Sequence, residues 1–239
     1  MHYTNISQTD GFGSQFQNII ATILYAENTN ITFVYNPITQ IEHNYNNKSD
    51  FINNIEELMN LKNNYIAAKT IVKKQLHYVQ NAKSILDANI DLYINSESCK
   101  RIKNIFWKNK DKNFFNNNKI NIAVHVRRPN SHDNRLDGAN TNDKFYLDVI
   151  NKIRDKNKGS DLLFHIYSQG LEADFSQYKN DDTILYINTD IISTFIGMVA
   201  ANILVLSRSS LSYTAALLSD GEIYYNPFWH NPAKHWIVC

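Results

Sequence analysis

The sequence has few cysteines, only Cys99 and Cys239 among 239 residues. A disulfide framework uses more cysteines at closer spacing, and a zinc site needs a local cluster of ligands, so the pattern favours two unpaired thiols. Long apolar runs are also missing, since none approaches the ~18 residues that span a bilayer. Residues 1–5 lack the charged-then-apolar order of a signal peptide. We therefore expect a soluble, cytoplasmic protein without an integral membrane segment.

An excess of charge of one sign is absent as well. The chain has 24 Lys and Arg against 23 Asp and Glu, a formal net charge of +1. Proteins that coat DNA or RNA normally carry a basic excess, so this balance predicts no nucleic-acid partner while leaving room for a small anion site. Hydrophobic residues make up 43% of the chain, which is enough to build a sizeable core.

The second half of the chain alternates short apolar strands with helices. We predict strands at 120–126, 162–167, 183–187, 203–206 and 222–225, and helices at 145–153, 192–201 and 211–218. Short, almost continuously apolar strands separated by helices indicate a parallel sheet that is covered on both faces. The fold class is therefore α/β.

The first half is less regular. It predicts a strand at 31–35 and helices at 15–27, 50–61 and 67–86. The polar segment 108–119 mixes charge with asparagine, and the pattern changes after it. This segment is the best candidate for a linker, so we predict one domain at 1–118 and a second at 119–239.

Ligands of open parallel sheets bind beyond the carboxyl ends of the strands, where a first polar segment contains two arginines. His125, Arg127 and Arg128 follow the first apolar strand of the second half. Strand alternation sends His125 and Arg127 to one side of the sheet and Arg128 to the other. A guanidinium presents a rigid fork of donors that suits phosphate oxygens. A solvated arginine pair beside a core histidine is the alternative.

A second polar segment, 206–213, links the fourth strand to a helix. It contains Arg208 and the serines Ser209, Ser210 and Ser212. Serine is a preferred N-cap, and a helix start offers unpaired N–H groups and a partial positive charge. The segment therefore predicts an anion site, with ordinary helix capping as the alternative.

A third polar segment, 10–15, contains Gly11 and Gly13. Two glycines let a backbone turn sharply and approach a ligand closely. The segment matches neither the Walker pattern nor the full dinucleotide fingerprint. By itself it is more often a plain loop.

Taken in order, these segments resemble the fucosyltransferase superfamily with a His-x-Arg-Arg motif, which includes α1,2-, α1,6- and protein O-fucosyltransferases. The matching segments are Gly11-Phe12-Gly13-Ser14-Gln15, His125 with Arg127 and Arg128, residues 165–169 and residues 209–218. The resemblance implies a GT-B-like fold, in which two Rossmann-like halves with parallel sheets face each other across a cleft. It further implies an acceptor-side domain at 1–118 and a nucleotide-sugar-binding domain at 119–239.

The resemblance also implies an inverting transfer from GDP-fucose to a glycan acceptor without a bound metal or other cofactor. The residues that it places at the donor are Gly11, Phe12, Gly13, His125, Arg127, Arg128, Ser168, Ser209, Ser210 and Ser212. Fixed cations such as Arg127 would then stabilise the departing diphosphate, and Arg127 is counted among the catalytic residues for this reason.

An inverting transferase needs a base for the acceptor hydroxyl. Asp133 is the first candidate and Asp137 the second, with His132 a weaker third, and a turn-forming or solvated residue is the alternative for each. The chain departs from the family where Gln169 replaces an aspartate, which puts guanine contacts there in doubt.

Two other functions stay open. One is a non-catalytic glycan- or nucleotide-binding module derived from such an enzyme. The other is a sulfotransferase, which ranks last because the first glycine segment has no lysine or arginine beside it.

Overall fold

The computed structural model describes residues 1–42, 44, 49–128 and 142–239. The chain forms two compact units, Met1–Lys110 and Asp111–Cys239, and their boundary falls within the polar segment 108–119. Each unit has its own parallel sheet, so the predicted α/β fold class with two Rossmann-like halves is confirmed. That the two sheets face each other across a cleft stays a prediction.

The N-terminal unit is built on a parallel sheet with the strand order β3-β2-β1-β4. Its strands are β1 (His2–Thr4), β2 (Phe33–Tyr35), β3 (Ile66–Ala67) and β4 (Leu76–Tyr78). Its helices are α1 (Phe12–Asn28), α2 (Phe51–Met59), α3 (Ala82–Ala88), α4 (Ile90–Ile94) and α5 (Glu97–Trp107), with 3₁₀ turns at Ala68–Thr70 and Lys73–Gln75. Helix α1 buries the apolar face that its sequence period predicts.

The helix predicted at 67–86 is wrong. Strand β4 lies in the middle of that range and pairs in parallel with β1. The β-branched Ile71 is extended, with φ −101° and ψ 140°, and such residues favour strands over helices. The edge of β1 has backbone N–H and C=O groups that pair with β4, and the α-helix begins only at Ala82.

The C-terminal unit is built on a parallel sheet with the strand order β10-β9-β8-β5-β6-β7. Its strands are β5 (Ile120–His125), β6 (Leu162–Ser168), β7 (Thr183–Ile187), β8 (Ile203–Val205), β9 (Glu222–Tyr225) and β10 (Ile237–Val238). Its helices are α6 (Asp143–Lys156), α7 (Ile191–Ala200) and α8 (Ser210–Leu218), with a 3₁₀ segment at Glu172–Tyr178. The predictions of β5 to β9 are confirmed to within one residue at each end. Among the described residues, no helix is both long and apolar enough to cross a membrane.

The two faces of β5 pack against different helices. Val124 and Val126 are buried in a cluster with Tyr146 and Ile150 of α6. The opposite face packs against α7, which in turn packs against α8. Strand alternation therefore decides which helix each side chain at the end of β5 meets.

Candidate functional site

Arg127 and Ser209 lie together at the carboxyl edge of the C-terminal sheet. Strands β5 and β8 are neighbours, so the segments that follow them meet at one edge. The Nη1 atom of Arg127 is 3.5 Å from the Oγ atom of Ser209, although 82 positions separate the two residues. That distance is the outer limit of a hydrogen bond, so the contact indicates proximity more than strong bonding.

Ser209 also forms the cap of α8. Its backbone is extended, with φ −147° and ψ 132°, and its Oγ accepts a hydrogen bond of 3.2 Å from Leu211 N. Ser210 is the first helical residue and is half-buried. The first N–H groups of a helix carry partial positive charge. The Arg127 guanidinium and the start of α8 would therefore both attract an anion.

A buried cluster of polar side chains packs against the turn between β8 and α8. Nδ1 of His125 is 2.7 Å from Oγ of Ser207, which is 3.3 Å from Oγ of Ser212. All three side chains are buried. Burial, assisted by the charge of Arg127, lowers the pKa of His125 to about 3, so the imidazole is neutral. His125 and Ser212 therefore contact the turn itself, and Ser207 is a contributor that the sequence analysis missed.

Arg128 points to the other face of the sheet, as strand alternation predicts. It forms an ion pair with Asp143 at the start of α6 and lies 5.2 Å from the ring centroid of Phe175. The hydroxyl of Tyr178 donates a hydrogen bond of 2.5 Å to the same Asp143 carboxylate. Burial alone would lower the pKa of Arg128, but the bond and charge of Asp143 raise it. Among the described residues, no contact joins Arg128 to the turn at Ser209.

Ser168 ends β6 and is engaged by the backbone. Its hydroxyl donates a hydrogen bond of 2.5 Å to the carbonyl of Val126. The turn that follows is closed by Asn188, which accepts a hydrogen bond from Gly170 N at 3.0 Å and donates one to Gly170 O at 2.9 Å. These bonds engage Ser168 and Gly170, the residues on either side of Gln169.

The glycine segment of the N-terminal unit is a helix start, so the prediction of a loop over 10–15 is wrong. Gly11 is the N-cap of α1, with φ −63° and ψ 156°, a conformation open to any residue. Gly13 lies inside the helix. Phe12 is 3% exposed and stacks on Phe16 with ring centroids 5.6 Å apart. The conformational freedom of glycine is therefore not what this segment uses.

A lysine from a distant part of the sequence lies beside this helix start. Lys83 Nζ donates a hydrogen bond of 2.6 Å to Ser14 Oγ and lies 3.9 Å from the Asp10 carboxylate. Burial lowers the pKa of Lys83, against the charges of Asp10 and Asp87. The glycine segment thus has a cation, which weakens the reason for ranking a sulfotransferase last. The sequence analysis missed Lys83 because 69 positions separate it from Ser14.

The candidate bases are not among the described residues. Asp133 and Asp137, with His132, fall in the range 129–141, and their roles stay predictions. Within 1–42, 44, 49–128 and 142–239, no group of three or more His, Cys, Asp or Glu side chains could hold a metal ion.

No protein-family model and no curated protein matches this sequence. Among solved structures, the chain is similar to the fucosyltransferase NodZ from Bradyrhizobium, at 10% identity and a TM-score of 0.48, over 91% of this chain and 93% of that one. It is similar to E. coli heptosyltransferase WaaC with ADP, at 11% identity and a TM-score of 0.46, over 99% and 92%. A mutant of Arabidopsis thaliana FUT1 in complex with GDP is 12% identical, with a TM-score of 0.39, over 95% and 71%. At these identities and scores, similarity carries neither activity nor donor to this chain.

Proposed function

We propose that this chain is a cytoplasmic glycosyltransferase, specifically an inverting, metal-independent fucosyltransferase that moves fucose from GDP-fucose to a glycan acceptor. One observation carries the proposal: Arg127 lies 3.5 Å from Ser209, where two strands end beside a helix start. The resemblance of the His-x-Arg-Arg and serine segments to the fucosyltransferase superfamily supports the choice of sugar and nucleotide.

The chemistry of the step explains why this pair matters. When the bond between fucose and GDP breaks, negative charge develops on the departing diphosphate. Arg127 and the N–H groups at the start of α8 would stabilise that charge in place, with added donors from Ser209 and Ser210. His125 is neutral, so it orients Ser207 without adding a second charge.

The remaining assignments are part of the same proposal. Residues 119–239 would bind the donor and residues 1–118 the acceptor, with Gly11, Phe12 and Gly13 near the junction of nucleotide and sugar. Arg128 would support the donor site through Asp143 rather than by touching phosphate.

Inversion requires the acceptor hydroxyl to attack the sugar from the face opposite the departing GDP. A base must take the hydroxyl proton as the new bond forms. Asp133 is our first candidate for this base and Asp137 our second.

Titration calorimetry tests the donor assignment. We expect GDP and GDP-fucose to bind, GDP-mannose to bind more weakly, and UDP-sugars to bind weakest. Arg127→Ala should weaken the affinity for GDP. If no guanine nucleotide binds, the donor assignment is wrong. If GDP-fucose binds but is neither hydrolysed nor transferred, the chain is a binding module rather than an enzyme.

A further inference from the structure

The loop that follows β9 presents the exposed ring of Trp229 on a cluster of aromatic rings, several of which are buried. Trp229 is 54% exposed, whereas His230 beside it is 7% exposed, and Tyr225 and Trp236 are also buried. Phe228 packs edge-on against Trp229, with ring centroids 5.0 Å apart. The indole of Trp229 therefore packs against the ring of Phe228 and keeps much of its surface exposed to solvent.

The backbone on each side of Trp229 is held by tyrosine hydroxyls. Tyr225 OH accepts a hydrogen bond of 3.2 Å from Phe228 N and donates one to His230 O. Tyr213 OH donates a hydrogen bond of 2.7 Å to Asn231 O. Because the backbone on both sides of Trp229 is held, a ligand that stacks on the indole has to order only the side chain, which lowers the entropic cost of stacking.

The loop shares an edge of the sheet with the anion site. Strands β9 and β8 are parallel neighbours, so the loop that contains Trp229 and the turn at Ser209 both leave the carboxyl edge. Tyr213 belongs to α8, and its N–H donates a hydrogen bond of 3.1 Å to Ser209 O. The same helix therefore begins at the anion site and anchors the loop.

The turn after β6 is a poor place to recognise a base by hydrogen bonds. Ser168 Oγ is bonded to Val126 O, and Gly170 is bonded to Asn188 through both its N–H and its carbonyl. A base that takes a proton donor from this turn would compete with these existing bonds. Stacking on an exposed ring needs no such exchange.

We infer that Trp229 is the stacking subsite for the purine base of the nucleotide whose diphosphate binds at Arg127 and Ser209. This inference rests on the proposed function and adds the residue that holds the base. Because stacking does not read the hydrogen-bonding edge of a base, the inference predicts weak discrimination between the two purine nucleotides GDP and ADP.

Calorimetry with GDP, ADP and inorganic pyrophosphate tests the inference on the full chain. Trp229→Ala should weaken GDP and ADP by a similar factor of about tenfold or more, because the base loses its aromatic partner. Pyrophosphate has no base, so its affinity should stay within about twofold of wild type. Trp229→Phe, the matched control, should restore most of the nucleotide affinity because it keeps an aromatic ring.

The possible outcomes separate this inference from the proposed function. If Arg127→Ala weakens GDP while Trp229→Ala does not, the inference is wrong and the function stands. If Gln169→Ala weakens GDP instead, the base binds at the turn after β6 and the inference is again wrong. Loss of GDP-fucose affinity with unchanged GDP affinity in Trp229→Ala would place the sugar on the ring and contradict the inference. If wild type binds no nucleotide, the function itself fails.

Discussion

Two adjacent arginines at the end of β5 meet different surroundings. Arg127 lies on the face of α7 and α8, next to a capping serine and above a neutral histidine. Arg128 lies on the face of α6, where Asp143 and Tyr178 complete an ion-pair cluster. One residue step along the chain therefore takes the guanidinium from the helix start at Ser209 to the carboxylate of Asp143.

This difference teaches that a motif with two arginines does not imply two phosphate ligands. A guanidinium paired with a carboxylate has part of its charge and of its N–H donors engaged, so an anion that binds there competes with the existing pair. Arg127 sits where helix polarity already favours negative charge. We therefore expect Arg127 to govern binding and Arg128 to govern stability.

The largest effect on binding is expected from Arg127→Ala. Removing a charged donor should cost about 1.5–3 kcal/mol, a loss of roughly 10- to 150-fold in affinity for GDP by calorimetry. Arg154→Ala is the matched control, because Arg154 pairs with Asp182 through bonds of 2.7 and 2.9 Å instead. Equal losses in both variants would contradict a specific role for Arg127.

Arg128→Ala should instead lower the free energy of unfolding. The Arg128–Asp143 pair is partly buried, and removing one partner leaves the carboxylate to Tyr178 alone, at a cost of about 1–3 kcal/mol. Urea denaturation of Arg128→Ala, Asp143→Ala and the double variant should reveal a favourable coupling between the two residues. The affinity for GDP should fall less in Arg128→Ala than in Arg127→Ala. A larger loss of GDP affinity in Arg128→Ala would contradict the roles that we assign to the two arginines.

The face with Arg127 should also be the more sensitive to acid. Burial lowers the pKa of His125 to about 3 and that of His165 to about 4, both below the ordinary 6.5. Between these values and pH 6.5 the unfolded chain binds protons that the folded chain does not. Stability is therefore complete above pH 6.5 and falls on acidification, by up to about 1.4 kcal/mol per pH unit for each histidine.

Urea denaturation between pH 7.5 and pH 5 measures this slope. His125→Asn, which keeps a polar partner for Ser207, should show a shallower decline than wild type. An unchanged slope would mean that His125 is not held neutral in the fold.

The smallest effect is expected from Ser209→Ala. It removes the cap of α8 at a cost of about 1 kcal/mol and should weaken GDP only a few-fold, since Arg127 remains. Ser96→Ala removes the equivalent cap of α5, where Ser96 Oγ accepts from Cys99 N at 3.1 Å. Both variants should lose similar stability by urea denaturation, but only Ser209→Ala should lose affinity. If Ser209→Ala and Ser96→Ala bind GDP with equal affinity, Ser209 only caps α8 and does not contribute to binding.

The C-terminal sheet could be predicted because its strands are short, apolar and separated by helical patterns. The meeting of Arg127 with Ser209 followed from the rule that parallel strands end at one edge. Their 82-residue separation did not matter, because β5 and β8 are neighbours. Strands β1, β3, β4 and β10 were not predicted, because each has only two or three residues and depends on its partner strands. The three-residue strands β2 and β8 were predicted because they lie within longer runs that favour strands, 31–35 and 203–206.

The remaining misses concern side-chain partners. The bond of His125 to Ser207, the pairing of Arg128 with Asp143 and the approach of Lys83 to Ser14 each join residues that no local pattern links. Sequence spacing indicates the side of a strand on which a side chain lies, but not the polar group that it contacts there. For this reason both arginines were assigned to the donor before the fold was known, although strand alternation already placed them on opposite sides of the sheet.

A crystal structure of the full chain with GDP tests the central claim most directly. We predict that a diphosphate oxygen contacts the guanidinium of Arg127 and that Ser209 or Ser210 donates to the same group, while Arg128 keeps its pair with Asp143. A diphosphate bound through Arg128, or bound away from the start of α8, would contradict the account.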